Sequence, residues 1–176
     1  MPYRVCFVCT GNICRSPMAE YVFRAHVEEA GLHGLVEVDS AGTDGWHEGE
    51  GADPRTVAVL RDNGYDSDHT ARRFQPSWFS RLDLVIALDA GHLKALRRLA
   101  PTPEDAAKIR LLRSYARPSP ESAAQAPSVR AADDDLDVPD PYYGGMDGFE
   151  ECLEMVEEAS LALLAVVQEH VEGRAA

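Results

Sequence analysis

Two residues near the start of the chain invite a chemical reading. Cys9 and Arg15 stand with five residues between them in the run Cys9-Thr-Gly-Asn-Ile-Cys-Arg-Ser-Pro17. A thiolate and a guanidinium so spaced suit attack on a phosphate monoester, whose negative charge must be gathered before a nucleophile can approach. Arginine supplies two parallel hydrogen bonds to phosphate oxygens. Gly11 and Asn12 enter positive-φ conformations more readily than other residues. A short loop through Thr10, Gly11, Asn12, Ile13 and Cys14 can therefore turn successive N–H groups inward as an anion nest. Ser16-Pro17 reads as an N-cap followed by proline at the first helical position, which adds the positive end of a helix dipole. The same field favours a thiolate at Cys9, and a phosphocysteine then splits one displacement into two. Cys-x5-Arg alone arises by chance; the Gly-Asn pair and the strand-to-helix setting give it weight.

The leaving group needs a proton from the opposite side. Asp140, between Pro139 and Pro141, is the candidate acid, and afterwards the base that activates water; its plainer reading is a turn aspartate. Ser16 can give its hydroxyl to the Cys9 sulfur. Cys6 and Cys9 form Cys-x-x-Cys, but Cys6 lies within an apolar strand and reads as a small buried hydrophobe. Cys14 either packs beneath the loop or approaches Cys9 closely enough for a reversible disulfide. Cys152 reads as core. Trp46 either lines a pocket or packs its loop down, and Tyr142 and Tyr143 read equally as half-buried aromatics. His69, Arg72 and Arg73 read as surface residues, Asp53 as a helix cap, and the acids from Asp133 to Asp137 as a solvated run.

The elements that must hold these residues alternate. Arg4 to Val8 reads as a buried strand. A helix carries Met18, Val22, Phe23 and Val27 to a stop at Gly31. Leu35 to Val38 is a second strand, turning at Asp39-Ser-Ala-Gly42. Asp53-Pro54 opens a short helix that ends near Asn63-Gly64. Leu82 to Leu88 reads as a strand buried on both faces, followed by Asp89 and a helix that Pro101-Thr-Pro103 breaks. Lys108 to Leu112 is a fourth strand. Ala116 to Asp135 has no apolar period and reads as a long mobile loop, and a last helix spans about Gly148 to His170. The expected fold is a three-layer α/β/α domain covering 1–176, with a four-stranded parallel sheet in the order 2-1-3-4 and about five helices. Ligands of such sheets bind at the carboxyl ends of the strands, where the Cys9 loop lies.

At 176 residues and 45% hydrophobic, the chain suits one domain with a sizeable core. A formal net charge of −13 argues against nucleic acid and anionic membranes as partners. No apolar run approaches a membrane span, and no signal peptide stands at the N-terminus, so the expected location is cytoplasmic. Three cysteines within nine residues point to catalysis before metal, because no zinc-ligand spacing accompanies them.

The run from Cys9 to Pro17 resembles the low-molecular-weight protein tyrosine phosphatases. So do Asp39-Ser-Ala-Gly-Thr43, Trp46-His47, Asp53-Pro-Arg55, His69-Thr-Ala-Arg72 and Asp140-Pro-Tyr-Tyr143. The resemblance implies Cys9 as nucleophile, Arg15 as phosphate clamp, Asp140 as general acid and Ser16 as a hydroxyl easing departure of Cys9. It implies that Ser40 and His69 hold Asn12, and that Ile13, Trp46, Tyr142 and Tyr143 wall an aromatic slot. It also implies Cys14 as redox partner of the nucleophile, and Tyr142 and Tyr143 as phosphorylation sites. Implied partners are phosphotyrosine-containing proteins, with inorganic phosphate as product and no cofactor or metal; a monomer is expected. Two departures stand out. Leu88-Asp-Ala-Gly-His92 replaces a turn that often has methionine before the aspartate and asparagine three positions after it. The segment 116–134 is longer than usual. Arsenate reductases share the cradle but need further cysteines, absent from Leu82 to Leu96. Protein arginine phosphatases prefer threonine at the position of Ile13 and lack the paired tyrosines. A catalytically dead phosphate-binding module would lack the nucleophile or the acid.

Overall fold

The structure is a computed structural model that describes residues 2–66, 68–116 and 136–175. Its strands are β1 (Tyr3–Cys9), β2 (Val36–Gly42), β3 (Leu84–Ala87) and β4 (Ile109–Leu111). Its helices are α1 (Arg15–Glu29), α2 (Pro54–Asp62), α3 (Ala90–Leu99), α4 (Pro103–Ala106) and α5 (Met146–Ala175), with 3-10 turns at Pro76–Ser80 and Leu112–Ala116. All strand pairs are parallel, and the order is β2-β1-β3-β4. Sequence and structure thus agree on the α/β class and strand order. The expected mobile loop lies, apart from Ala116, outside the described residues, as do Asp133, Asp134 and Asp135.

Alternation along β1 builds the layers, because successive side chains point to opposite faces. Val5, Phe7 and Cys9 join a core shared with α1, α2 and α5, while Cys6 and Val8 join one shared with α3 and the Pro76–Ser80 turn. Phe7 is fully buried and meets Phe23 of α1 edge-on at 5.6 Å. Burying such a side chain contributes about 1.5–3 kcal/mol. Cys6 and Cys152 are buried, as expected. No helix among the described residues is long and apolar enough to cross a membrane.

Three local expectations are corrected. Asp39 to Gly42 is not a turn: β2 runs on to Gly42, with Cys9 opposite Gly42. Ser40, Ala41 and Gly42 are buried but carry little apolar volume, so no hydrophobic run marks them. Helix α1 begins at Arg15 with Cys14 as N-cap, which leaves Ser16 inside the helix. Helix α3 does end at Leu99, ahead of Pro101-Thr-Pro103, and Pro103 itself opens α4, where the Thr102 hydroxyl accepts from the Asp105 N–H at 3.1 Å. Asp137 is not merely solvated, because its carboxylate accepts the N–H of Ala90 at 2.8 Å, at the start of α3. Asp53 does cap α2, accepting the Arg55 N–H at 2.8 Å.

Candidate active site

The cradle starts where β1 ends. Between Cys9 and α1 the chain reverses in five residues, and Asn12 takes φ +59°, the only non-glycine positive φ among the described residues. Gly11 does not share that conformation. Its hydrogen side chain instead admits His47, whose Cδ2 would lie 3.0 Å from an added Cβ. Asparagine tolerates the left-handed region better than most residues, and here four hydrogen bonds hold it. Its amide nitrogen donates to Ser16 Oγ at 2.8 Å and to Ser40 Oγ at 3.0 Å. Its amide oxygen accepts the Arg72 N–H at 2.9 Å, and its carbonyl accepts from His69 Nε2 at 2.7 Å. His69 and Arg72 are therefore not surface residues without a task. A carbonyl only accepts, so the His69 proton sits on Nε2; burial lowers the pKa of this ring, which favours the neutral form.

Two further residues set the direction of this network. Glu20, 6% exposed on α1, accepts the Ser40 hydroxyl at 2.6 Å and Arg24 at 2.5 Å. With Ser40 donating to Glu20, Ser40 must accept from Asn12. Ser16 likewise accepts from Asn12, which leaves one hydroxyl hydrogen. It has two acceptors within reach, the Cys9 sulfur at 2.9 Å and the Ala41 carbonyl at 3.3 Å. The sulfur is the nearer of the two, so the Ser16 hydroxyl meets Cys9 instead of capping α1. No backbone acceptor faces the N–H groups from Gly11 to Ser16 among the described residues, so they remain free for an anion.

Arg15 is 4% exposed and anchored along one edge. Its Nη1 donates to Asp89 Oδ2 at 2.7 Å and to the Val138 carbonyl at 2.9 Å, which uses both hydrogens. The Nε and Nη2 side remains for a ligand. Burial works against the Arg15 charge, but the Cys9 sulfur, Asp89 and Asp140 outweigh it and raise its pKa. Asp140 Oδ2 stands 3.8 Å from Arg15 Nη2 with its side chain 44% exposed, and Asp140 Oδ1 accepts the Tyr142 N–H at 3.1 Å.

These groups open into a cleft of about 370 Å³. Cys9, Thr10, Gly11, Ile13, Cys14, Arg15 and Asp140 form its floor and back, and Trp46, Tyr142 and Tyr143 its rim. Trp46 is 85% exposed and Tyr143 91%. The tyrosine rings meet edge-on at 5.0 Å, and the Arg55 guanidinium lies 5.4 Å from the Tyr142 ring centre. Ser16, Asn12, Ser40 and His69 stand behind the floor. Cys14 lines the cleft as a free thiol, and burial, with Asp53 and Cys9 nearby, pushes its pKa up to about 12.

Sequence reasoning missed Asp44 and His47 in the lining, and Glu20, Arg55, Asp89 and His92 as supports. The Asp53-Pro-Arg55 and Asp89 caps were visible, but not that each cap also faces the site. The site is therefore assembled from β1, α1, the end of β2, the start of α3 and the loop before α5.

Residues 4–173 match the family described as low molecular weight phosphotyrosine protein phosphatase. The chain is 75% identical over 176 residues to a low molecular weight protein-tyrosine-phosphatase of Streptomyces coelicolor, covering all of both chains. Among solved structures it resembles a protein tyrosine phosphatase from Entamoeba histolytica with Hepes in the active site. The TM-score is 0.83 at 32% identity, covering 96% of this chain and 98% of that one. It also resembles a Drosophila arginine phosphatase, at TM-score 0.78 and 31% identity over 93% of this chain and 96% of that one.

Proposed function

The chain belongs to the low molecular weight phosphotyrosine protein phosphatase family and is a protein tyrosine phosphatase, and from that premise we propose that it cleaves phosphotyrosine in proteins, and small aryl phosphates, through a phosphocysteine on Cys9. The phosphate lies against the free N–H groups from Gly11 to Ser16 and the Nε/Nη2 edge of Arg15. The Cys9 thiolate attacks phosphorus as the bond to the tyrosine oxygen breaks, and protonated Asp140 gives its proton to the departing phenoxide. Asp140, now a carboxylate, takes a proton from water as that water attacks the phosphocysteine. Cys9 leaves as a thiolate, which the Ser16 hydroxyl stabilises, and inorganic phosphate is released. Cys14 shares the cleft with Cys9, and with a peroxide as two-electron acceptor the two thiols give up two electrons and two protons to close a reversible disulfide, the peroxide leaving as water and alcohol or as water alone.

The observation that carries this reading is the buried Cys9, its sulfur 2.9 Å from the Ser16 hydroxyl at the foot of a loop whose N–H groups are unpaired. Ile13, Trp46, Tyr142 and Tyr143 suit a flat phenyl ring, and phosphoserine is too short to reach a thiolate at the base of the cleft. Protein arginine phosphatase is the second reading, since the fold alone accommodates it. Ile13 and the paired tyrosines weigh against it.

The test compares phosphotyrosine, phosphoserine and phosphoarginine peptides of one sequence. Turnover of phosphotyrosine alone is expected. Comparable phosphoserine turnover refutes the deep-slot argument, and faster phosphoarginine turnover favours the second reading. Cys9→Ser is expected to bind phosphate without turning over p-nitrophenyl phosphate; activity at the normal rate would show that Cys9 is not the nucleophile.

A further inference from the structure

His92 takes no part in the phosphocysteine mechanism, yet its ring lies against both Thr10 and Arg15 of the cradle. It lies in the first turn of α3, where Asp89 Oδ1 accepts its N–H at 2.8 Å. Its ring, only 5% exposed, crosses behind the cradle. Nε2 lies 2.8 Å from the Thr10 hydroxyl and 3.4 Å from Arg15 Nη2. Nδ1 lies 3.2 Å from Asp89 Oδ1 and makes no well-aligned hydrogen bond.

These contacts fix the state of the ring. A guanidinium only donates, so the nitrogen facing Arg15 carries a lone pair. The Thr10 hydroxyl then donates to that nitrogen, and the ring proton sits on Nδ1, toward Asp89. The charged groups facing the ring are Arg15 from α1, Asp89 from the cap of α3 and Asp140 from the loop before α5. Burial, aided by Arg15, lowers the pKa of His92 to about 4 against the pull of the two carboxylates, so the ring is neutral near neutral pH.

We propose that His92 is a positioning residue of the phosphate cradle, its unprotonated Nε2 acting as the acceptor that holds the Thr10 hydroxyl and the Nη2 side of Arg15 for the incoming phosphate. Thr10 is the first residue of the cradle, and its carbonyl is already fixed by the Asp44 N–H at 3.0 Å. His92 fixes the side chain of the same residue. Asp89 and Val138 hold Nη1 of Arg15, and His92 adds a third point that sets the plane of the guanidinium. The Nε–H and the second Nη2 hydrogen are then presented as a fork. The proposal rests on the Cys9–Arg15 loop being the phosphate site.

The test compares His92→Asn, which keeps an acceptor, with His92→Leu, which does not, each with and without Thr10→Val. Readouts are kcat and KM for p-nitrophenyl phosphate, the inhibition constant of inorganic phosphate, and the melting temperature. One neutral hydrogen bond contributes about 0.5–1.5 kcal/mol, so His92→Leu should raise both KM and the phosphate inhibition constant roughly three- to tenfold. The change in kcat should be smaller, and His92→Asn should restore most of the loss. On the Thr10→Val background the effect of His92→Leu should shrink by half or more, because the shared bond is already gone. Equal phosphate affinity in wild type and His92→Leu overturns the proposal, as does failure of His92→Asn to rescue a folded His92→Leu protein. Should His92→Leu not fold, nitrogen NMR of the wild-type ring decides: a proton on Nδ1 is expected, and a proton on Nε2 overturns the assignment. Absence of phosphate inhibition in wild type would instead sink the reading of the loop itself.

Discussion

Ser16 illustrates how a residue's type can be legible while its task is not. Next to a proline and ahead of an apolar period it reads as an N-cap, yet its hydroxyl lies 2.9 Å from the Cys9 sulfur. The competing partner was invisible because β1 and α1 meet only after the loop closes. Asn12 is the converse case. Its tolerance of positive φ was readable, but Arg72, whose N–H meets its side chain at 2.9 Å, is sixty residues away. The Ser16 geometry makes a kinetic prediction. Ser16→Ala removes the donor that stabilises departing Cys9, so breakdown of the phosphocysteine should slow more than its formation. A burst of p-nitrophenol equal to the enzyme concentration should precede a slower steady state. A charged-acceptor hydrogen bond contributes about 1.5–3 kcal/mol, so the steady-state loss should be at least tenfold. Equal slowing of both phases, measured by stopped flow, would assign Ser16 a purely structural role.

At the scale of elements, helices with clear apolar periods and the buried β3 were legible to within a few residues, because burial dictates their side chains. The end of β2 was not, since Ser40, Ala41 and Gly42 are placed by the ladder with β1 and not by hydrophobicity. The 3-10 turn at Pro76–Ser80 left no periodic mark that a loop reading would notice. Gly42 shows why that strand end is built of small residues. A Cβ there would sit 2.5 Å from the Thr10 carbonyl and 3.2 Å from the Asn12 nitrogen, both backbone atoms that cannot swing aside. Gly42→Ala must therefore push β2 away from the cradle. Overpacking of this kind costs about 1–3 kcal/mol, and the displaced Thr10 and Asn12 should lower kcat/KM as well. Gly45→Ala is the matched control, because its Cβ would meet only the flexible Arg73 side chain at 3.3 Å. The expectation is a lower melting temperature and activity for Gly42→Ala and near wild-type values for Gly45→Ala. Similar behaviour of the two would mean that close approach to the cradle is not what requires glycine at 42.

For the molecule as a whole, the buried ionisable groups of the site make stability depend on pH in one direction. Burial lowers the pKa of His69 and takes that of His92 to about 4, whereas a histidine in the unfolded chain titrates near its ordinary value of about 6.5. As pH falls below the ordinary value, the unfolded state binds protons that the folded state refuses, so stability drops until the folded histidines also charge. The carboxylates continue the trend. Burial opposes the charge on Asp53, but Arg55 outweighs it and lowers the pKa. At Asp89 the His92 N–H and Arg15 do the same. A depressed carboxyl pKa stabilises the fold above the unfolded value, and that contribution is lost as pH falls through the folded one. The net charge of −13 acts the other way, since protonating surface acids relieves self-repulsion. High salt separates the two effects, because the screening length falls to about 3 Å at 1 M and suppresses the surface contribution but not the buried one. At high salt the urea midpoint should therefore fall steadily from pH 7 to pH 4, and His92→Asn should flatten the slope by removing one of the two histidines. A midpoint that holds constant across this range, or a slope unchanged in His92→Asn, would mean that the folded ring takes up its proton as readily as the unfolded one, so that the fold does not reserve its Nε2 as the acceptor behind Thr10 and Arg15.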